Sequence, residues 1–543
     1  MIKGLVFIFL SIIIFFQVNA QVAPNKYRIF LTDKNNNSYS ISNPEQFLSE
    51  KAINRRINQD IEITENDLPV SDFYIDSLKS FGLIILNKSK WMNSVVVFST
   101  DQELIDTLDN IGFIKSVHKI DLMPTIDFSL VNKIKSPDSE NVLNYGESGV
   151  QISMLSGQVL HQHNFQGQGI TIAVIDAGFY NVDILPAFDS LFYNNQIVGT
   201  FDFVNRNTEI YSDHSHGMKV LSIIGGNLPG KLIGTAPKAN FLLLRSEDAD
   251  SEYTIEEDNW ASAAEFADSA GADIINTSLG YTEFDDPSQN YTYSNMDGNT
   301  AFISRAADIA ASKGILVVVS AGNSGDDDWK YISAPADADS VLTVGAVDAY
   351  AGYASFSSQG PTSDGRIKPN IAAMGYQTIF QDITGDIARG NGTSFSAPII
   401  SGLAACLWQA LPNLTNMEII DLIEQSAHQY STPDNQLGYG IPDFAKAANI
   451  TSVPLLDEPI LNVNIYPNPF NSELNIFIPN KIEKITIKIY NVLQQLVYVK
   501  EINDITETGL IRIYSINNLP YGIYIVSISN GVTSIQKRVS KIN

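Results

Sequence analysis

The sequence predicts a chain built around a parallel α/β domain, with a small α/β unit before it and a small β-sandwich after it. Three observations carry this. Between residues 151 and 450, nearly unbroken apolar runs recur: ITIAVID (170–176), NFLLLRS (240–246), ADIINTSL (272–279), GILVVVSAG (314–322) and SVLTVGAV (340–347). Helical patterns, for example at 260–269 and 301–312, lie between them. Strands apolar almost throughout are strands covered on both faces, and the strand–helix rhythm makes them parallel. From residue 460 the pattern changes to short alternating runs with turn signals, among them ELNIFI, KITIKIYNV and YGIYIVSISN, which predicts antiparallel strands. The charge changes with it: residues 148–459 carry 37 acids and 12 bases, residues 460–543 only 5 acids and 8 bases. A boundary near 455–460 follows.

At 543 residues the chain exceeds one ordinary domain. Residues 1–20, MIKGLVFIFLSIIIFFQVNA, have a positive end at Lys3, an apolar stretch from Leu5 to Phe16 and a small-residue exit at Ala20. That order predicts a cleaved secretory leader. Residues 21–147 form the first unit and its linker. The runs at 27–31, 81–87 and 92–99 read as strands, and those at 44–60 and 101–111 as helices. The stretch 128–150 is polar and weakly patterned, as a linker is, and 281–300 is an acidic, aromatic surface loop.

The formal net charge of −26 excludes nucleic acid and anionic membrane as partners. A single cysteine, Cys406, rules out an intramolecular disulfide and reads as a small buried hydrophobe.

In an open α/β sheet, chemistry gathers at the carboxyl ends of the strands. Asp176 ends the first run of the central domain. Asp213-His214-Ser215-His216-Gly217 opens an apolar helix, with His216 in its first turn. Asn323 follows VVVSAG. Ser394, in NGTSFSAP, lies at the start of the apolar run IISGLAACLW. A serine there can be a helix cap. It can also be a nucleophile, if a base lies within about 3 Å and an orienter holds the base. His216 and Asp176 fill those roles. An amide at Asn323 can donate to a developing oxyanion. His214 is the rival base, but it lacks the following glycine.

The segments IAVIDAG, HSHGMKV, INTSLG, VVVSAGNSG and NGTSFSAP, in the order Asp, His, Ser, resemble the subtilisin-like (subtilase) serine proteases across most of 165–445. The resemblance implies a peptidase domain at 148–450 that cuts polypeptides through an acyl-enzyme on Ser394. It also implies a backbone edge at Ser278, Leu279 and Gly280 that pairs with substrate. Ser320, Ala321 and Gly322 would line the pocket for the residue before the cut. No cofactor is needed for this chemistry, although structural calcium occurs in such enzymes. Candidate acids are Glu247, Asp248, Asp250, Asp258, Asp326, Asp327 and Asp328, each also readable as part of a solvated charge run; Asp213 with His214 is a weaker pair. The chain departs from the family at Met218, Lys219 and Phe395.

The 21–147 unit resembles the pro-region of secreted subtilases, which implies an intramolecular inhibitor removed by cleavage around 125–150. Arg55-Arg56 reads instead as a solvated helix face. Residues 460–543, through NIYPNPF, LPYGIYIVSIS and a basic end, resemble the type IX secretion sorting domain of Bacteroidota. That implies the secretion machinery as a partner and a secreted or surface location. The alternatives are a non-catalytic adhesin on a protease scaffold and an esterase with the same triad. The acids Glu283, Asp285, Asp286 and Asp297 raise the expectation of basic residues in the substrate.

Overall fold

A computed structural model describes residues 25–120, 143–450 and, further on, 463–478, 482–491, 495–505, 509–514, 516–529 and 534–542. The expected leader and most of the expected processing segment lie outside the described residues. The chain divides into two compact units after Ser452.

The larger unit begins with a four-stranded antiparallel sheet. Its elements are β1 (Lys26–Leu31), α1 (Glu50–Asn58), α2 (Asp72–Ser80), β2 (Ile84–Ser89), β3 (Ser94–Phe98), α3 (Gln102–Thr107) and β4 (Ile114–Ile120), in sheet order β2-β3-β1-β4. Helix α1 starts at Ser49, whose hydroxyl accepts the Ala52 N–H, and α3 at Asp101, which caps Leu104 in the same way; each satisfies one orphan donor of a first turn. Apolar residues of one sheet face, Ile29, Val95 and Val97, pack on Ile75 and Leu78 of α2.

The body of the unit is a seven-stranded sheet. Its elements are β5 (Thr171–Asp176), β6 (Ile197–Asp202), α4 (His216–Gly225), β7 (Asn240–Arg245), α5 (Ile255–Ala270), β8 (Ile274–Thr277), α6 (Phe302–Ser312), β9 (Leu316–Ser320), β10 (Leu342–Val347), β11 (Ile371–Met374) and α7 (Thr393–Ala410). The strand order is β11-β10-β9-β8-β5-β7-β6, with every neighbouring pair parallel. Ile172, Val174, Leu243 and Val318 face one core with α4 and α7. Ala173, Ile175, Leu242 and Val317 face a second core with α5 and α6. Burial on both faces is why these strands read as continuous apolar runs.

The 281–300 stretch contains no helix or strand longer than a single 3₁₀ turn, as a loop should. It is not a surface loop throughout: Tyr281, Phe284 and Met296 are buried, with the Tyr281 and Phe284 rings stacked 5.9 Å apart.

The first sheet lies on α5 and α6. Its contacts with α5 are charged and buried, which overturns the reading of Arg55 and Arg56 as a solvated face. Arg55 is 5% and Arg56 0% exposed. Both pair with Asp268 of α5, joined there by Lys90, and Arg56 also pairs with Asp67. Arg28 of β1 pairs with Asp258 and lies 3.9 Å over the Phe302 ring. Glu265 accepts hydrogen bonds from the Ser89 hydroxyl and from the Lys90 and Trp91 N–H groups.

Residues 144–148 belong to the body and not to a linker. Gly230 N–H donates to the Asn144 carbonyl, Glu147 N–H to Lys231, and the Ser148 hydroxyl to Ile233. The body thus starts ahead of the expected boundary at 148.

The smaller unit is an antiparallel sandwich. Its strands are β12 (Asn464–Tyr466), β13 (Leu474–Ile478), β14 (Ile482–Asn491), β15 (Leu496–Ile505), β16 (Gly509–Ile513), β17 (Gly522–Ser529) and β18 (Ser534–Lys541). They form sheets β12-β13-β16 and β15-β14-β17-β18. Leu474, Ile476 and Ile513 of one sheet share a core with Ile485, Ile487, Val526 and Val539 of the other.

Candidate active site

Asp176 is the last residue of β5 and His216 the first of α4. What lets them meet is Gly217: a Cβ there would lie 2.5 Å from the Gly178 carbonyl oxygen and 2.9 Å from the Asp176 Cβ. The helix can approach the strand end only where a side chain is absent. His216 Nδ1 then donates to Asp176 Oδ1 at 2.8 Å, and the Ala177 N–H donates to the same oxygen. This bond fixes the tautomer and leaves Nε2 as the free ring nitrogen. His214 bonds no part of Asp176; its ring lies 6.4 Å from that of His216, before the helix begins.

Burial disfavours the imidazolium, but the charge and hydrogen bond of Asp176 outweigh it and raise the His216 pKa above its ordinary 6.5. A base must be neutral to accept a proton. The acid limb of kcat/KM should therefore have its midpoint above 6.5, and Asp176→Asn should move it down. A pH–rate profile of both proteins checks this. A midpoint unmoved by the substitution would separate the limb from this pair.

Ser394 is the second residue of α7, after Gly392 at the N-cap position. It is not the cap: its hydroxyl donates to the Ser278 carbonyl at 3.2 Å, and the Ser278 hydroxyl donates back to the Ser394 carbonyl at 3.1 Å. The sequence supplies the reason that this carbonyl is free. Pro398, four residues on, has no N–H to donate to it. Ser394 Oγ makes no hydrogen bond to His216 among the described residues. Unliganded sites often hold such bonds loosely. Phe395 lies beside them, its ring 6.0 Å from that of His216 and 4.8 Å from that of Phe380.

Asn323 is exposed just past β9. Its Oδ1 accepts the Thr393 N–H at 2.8 Å and the Thr393 hydroxyl at 3.1 Å. With the oxygen so held, the NH₂ is the free end. The Ser394 N–H is among the first-turn donors that a helix leaves open. A Cβ built on Gly392 would lie 3.7 Å from the Ser394 nitrogen and 3.9 Å from Asn323 Nδ2, so both donors border one turn, and such a pair can hold an oxyanion. Asn323→Ala should cost about 10²–10³-fold in kcat with little change in KM, measured with a chromogenic peptide.

Ser278 and Leu279 follow β8 and border a cavity shared with Asp176 and His216. Gly280 and Gly322 face each other across Ser333: a Cβ on either would lie 2.2 or 3.1 Å from its Oγ. Ser320 and Ala321 are buried at the end of β9.

Arg245, which sequence reasoning passed over, ties these strand ends together. Its guanidinium bonds the Ala177 and Glu247 carbonyls and pairs with Asp202 and Asp213. Asp213 is thus engaged by an arginine and not free for a cation. Asp258 is likewise committed to Arg28. Asp326, Asp327 and Asp328 are exposed, as a solvated run is. Among the described residues, the acids that gather are Glu247, Glu252 and Glu256. Part of their acceptor capacity is already used. Glu247 already receives the Tyr281 and Ser246 hydroxyls, and Glu256 the Asp248 and Tyr253 N–H groups. Calcium takes six to eight oxygens.

Comparison with known proteins identifies the domains. Residues 26–136 match the Bacteroidota propeptide domain of S8 peptidases, and residues 464–542 a secretion-system C-terminal sorting domain. The chain is accordingly an exported protein, secreted or held at the cell surface through the type IX system. It is 29% identical over 323 residues to the serine protease AprX of Bacillus subtilis, covering 54% of this chain and 69% of that one. It is 33% identical over 230 residues to a thermophilic serine proteinase of Bacillus sp. strain AK1, covering 42% of this chain and 50% of that one. Against subtilisin E of Bacillus subtilis it is 30% identical over 282 residues, covering 51% and 65%. The matched segment thus spans between half and just over two thirds of these relatives. Residues 167–440, half of the chain, match the subtilase family model. The chain belongs to the subtilase family.

Proposed function

We propose that the protein is a secreted serine endopeptidase made as a zymogen. The observation that carries this is the pair His216–Asp176, bonded at 2.8 Å, on the wall of a cavity also bordered by Ser278, whose carbonyl accepts the Ser394 hydroxyl. In this reading His216 takes the proton of Ser394 Oγ as that oxygen attacks the scissile carbonyl. Asp176 keeps its hydrogen bond to Nδ1 and steadies the imidazolium. The Asn323 NH₂ and the Ser394 N–H hold the oxyanion. As the intermediate collapses, His216 gives its proton to the leaving amine. Water then enters by the same route and releases the acyl group.

Polypeptide is the substrate class that the edge at Ser278–Gly280 favours, because a backbone edge reads an extended chain. An esterase has no use for such an edge, and no observation favours an adhesin. The N-terminal unit covers α5 and α6 through buried ion pairs, which supports its role as a bound inhibitor until it is cut away.

The test is intact-mass analysis of the purified chain, alone and with unfolded casein. The expected product begins at or before Asn144, because Asn144–Ser148 is hydrogen-bonded into the body, and casein is cut. A chain that stays whole on its own, and that still leaves casein intact once an added protease has removed its N-terminal unit, would refute the reading.

A further inference from the structure

A cavity of about 180 Å³ opens beside the His216–Asp176 pair, with Asp176, His216, Glu247, Glu252 and Glu256 on its walls. Carboxylate oxygens of Glu247, Glu252 and Glu256 lie within 4.8 Å of one another. A separate observation points to a missing partner. Asp176, 2% exposed and on the same wall, has an Oδ2 buried without any hydrogen-bond partner. No lysine or arginine lines the cavity. Arg245, which acts on Glu247, is already paired with Asp202 and Asp213. Burial, then the neighbouring carboxylates, push Glu252 up to about 8. The group is short of positive charge.

We propose that this cavity binds the lysine or arginine side chain of the substrate residue two places before the cut bond. The proposal rests on the peptidase reading and names its substrate class. Successive side chains of an extended chain point to opposite faces. If the residue next to the bond turns toward Ser320–Gly322, the one before it turns toward His216 and the acids. A long ammonium or guanidinium needs only two or three acceptors: both oxygens of Glu247 and both of Glu256 already accept one hydrogen bond and can each accept a second. A divalent cation needs more. None of Glu283, Asp285, Asp286 and Asp297 lines the cavity, although Asp285 accepts the Glu252 N–H.

The test uses the matured enzyme and peptides that differ only at that position, carrying Lys, Ala or Glu. The expected kcat/KM ratio of Lys to Ala is roughly tenfold to a hundredfold, with Glu poorer than Ala. Glu252→Gln should shrink the ratio to about threefold, and Glu252→Lys should reverse it in favour of the Glu peptide. A wild-type ratio within about twofold of one overturns the cavity proposal and leaves the peptidase reading standing. Failure to cut any peptide, together with no labelling of Ser394 by a fluorophosphonate, overturns both. Each assay is repeated with excess calcium and with chelator. Calcium that abolishes the lysine preference in wild type would make the cavity a metal site and overturn the proposal.

Discussion

Ser394→Ala will leave the chain full length and lower kcat by about 10⁶-fold. The size follows from how the parts act. A nucleophile and its base work as one unit, so loss of either removes nearly the whole effect of the pair. What survives is the oxyanion pair and substrate binding, worth about 10³–10⁴-fold over water. The fold should not suffer. Ser394 is half-buried, and its hydroxyl makes a single protein hydrogen bond, to the Ser278 carbonyl. The Thr393 contacts that seat the start of α7 do not use it. Mass spectrometry should therefore find the N-terminal unit still attached, and circular dichroism should match wild type. A variant that still trims itself would put the nucleophile elsewhere.

Asp268→Ala in the Ser394→Ala background will destabilise the zymogen by about 3–5 kcal/mol. Asp268 is wholly buried and meets Arg55, Arg56 and Lys90 together. Burial alone would raise its pKa; the three cations override that and hold it far below the ordinary 3.8. A depressed carboxylate contributes stability that is complete above its unfolded value and is lost only as pH falls through the folded one. The contribution is thus fully present at neutral pH. Removing the acid leaves Arg55 with no ion-pair partner among the described residues and Lys90 with Glu265 alone, while Arg56 keeps Asp67 at 2.7 Å. Denaturant unfolding of the two inactive zymogens measures the difference. A loss under about 1 kcal/mol would mean that water reaches the pairs and that they act as surface bridges do.

The parts of this molecule that were legible in the sequence share a physical cause. Strands β5, β7, β8, β9 and β10 are buried on both faces, so each had to be an apolar run. Asp176 and His216 stand out because a charged or titratable residue breaks such a run at its end. Strand β6 was not legible: IVGTFD holds a glycine and lies at the sheet edge, with four of its six residues half-buried. Strand β11 was missed because IAAM is short and small. Arg55 and Arg56 misled because a basic pair on a helix says nothing about an acid more than 200 positions away in the chain. Glu247, Asp248 and Asp250 read as candidate calcium acids or a solvated run, and Glu256 passed unremarked, for the same reason: only the path from β7 into α5 brings Glu247, Glu252 and Glu256 together beside His216. The bond between Ser278 and the Ser394 carbonyl had a signal in Pro398, which removes a helix donor four residues on.

The central claim is that Ser394 is a nucleophile activated by His216 and Asp176. The most direct measurement is peptide mapping after reaction of the matured protein with a fluorophosphonate. The account predicts one adduct, on Ser394, with labelling that slows below neutral pH and falls by orders of magnitude in His216→Ala. An adduct on another serine, or labelling of Ser394 at the same rate without His216, would contradict it.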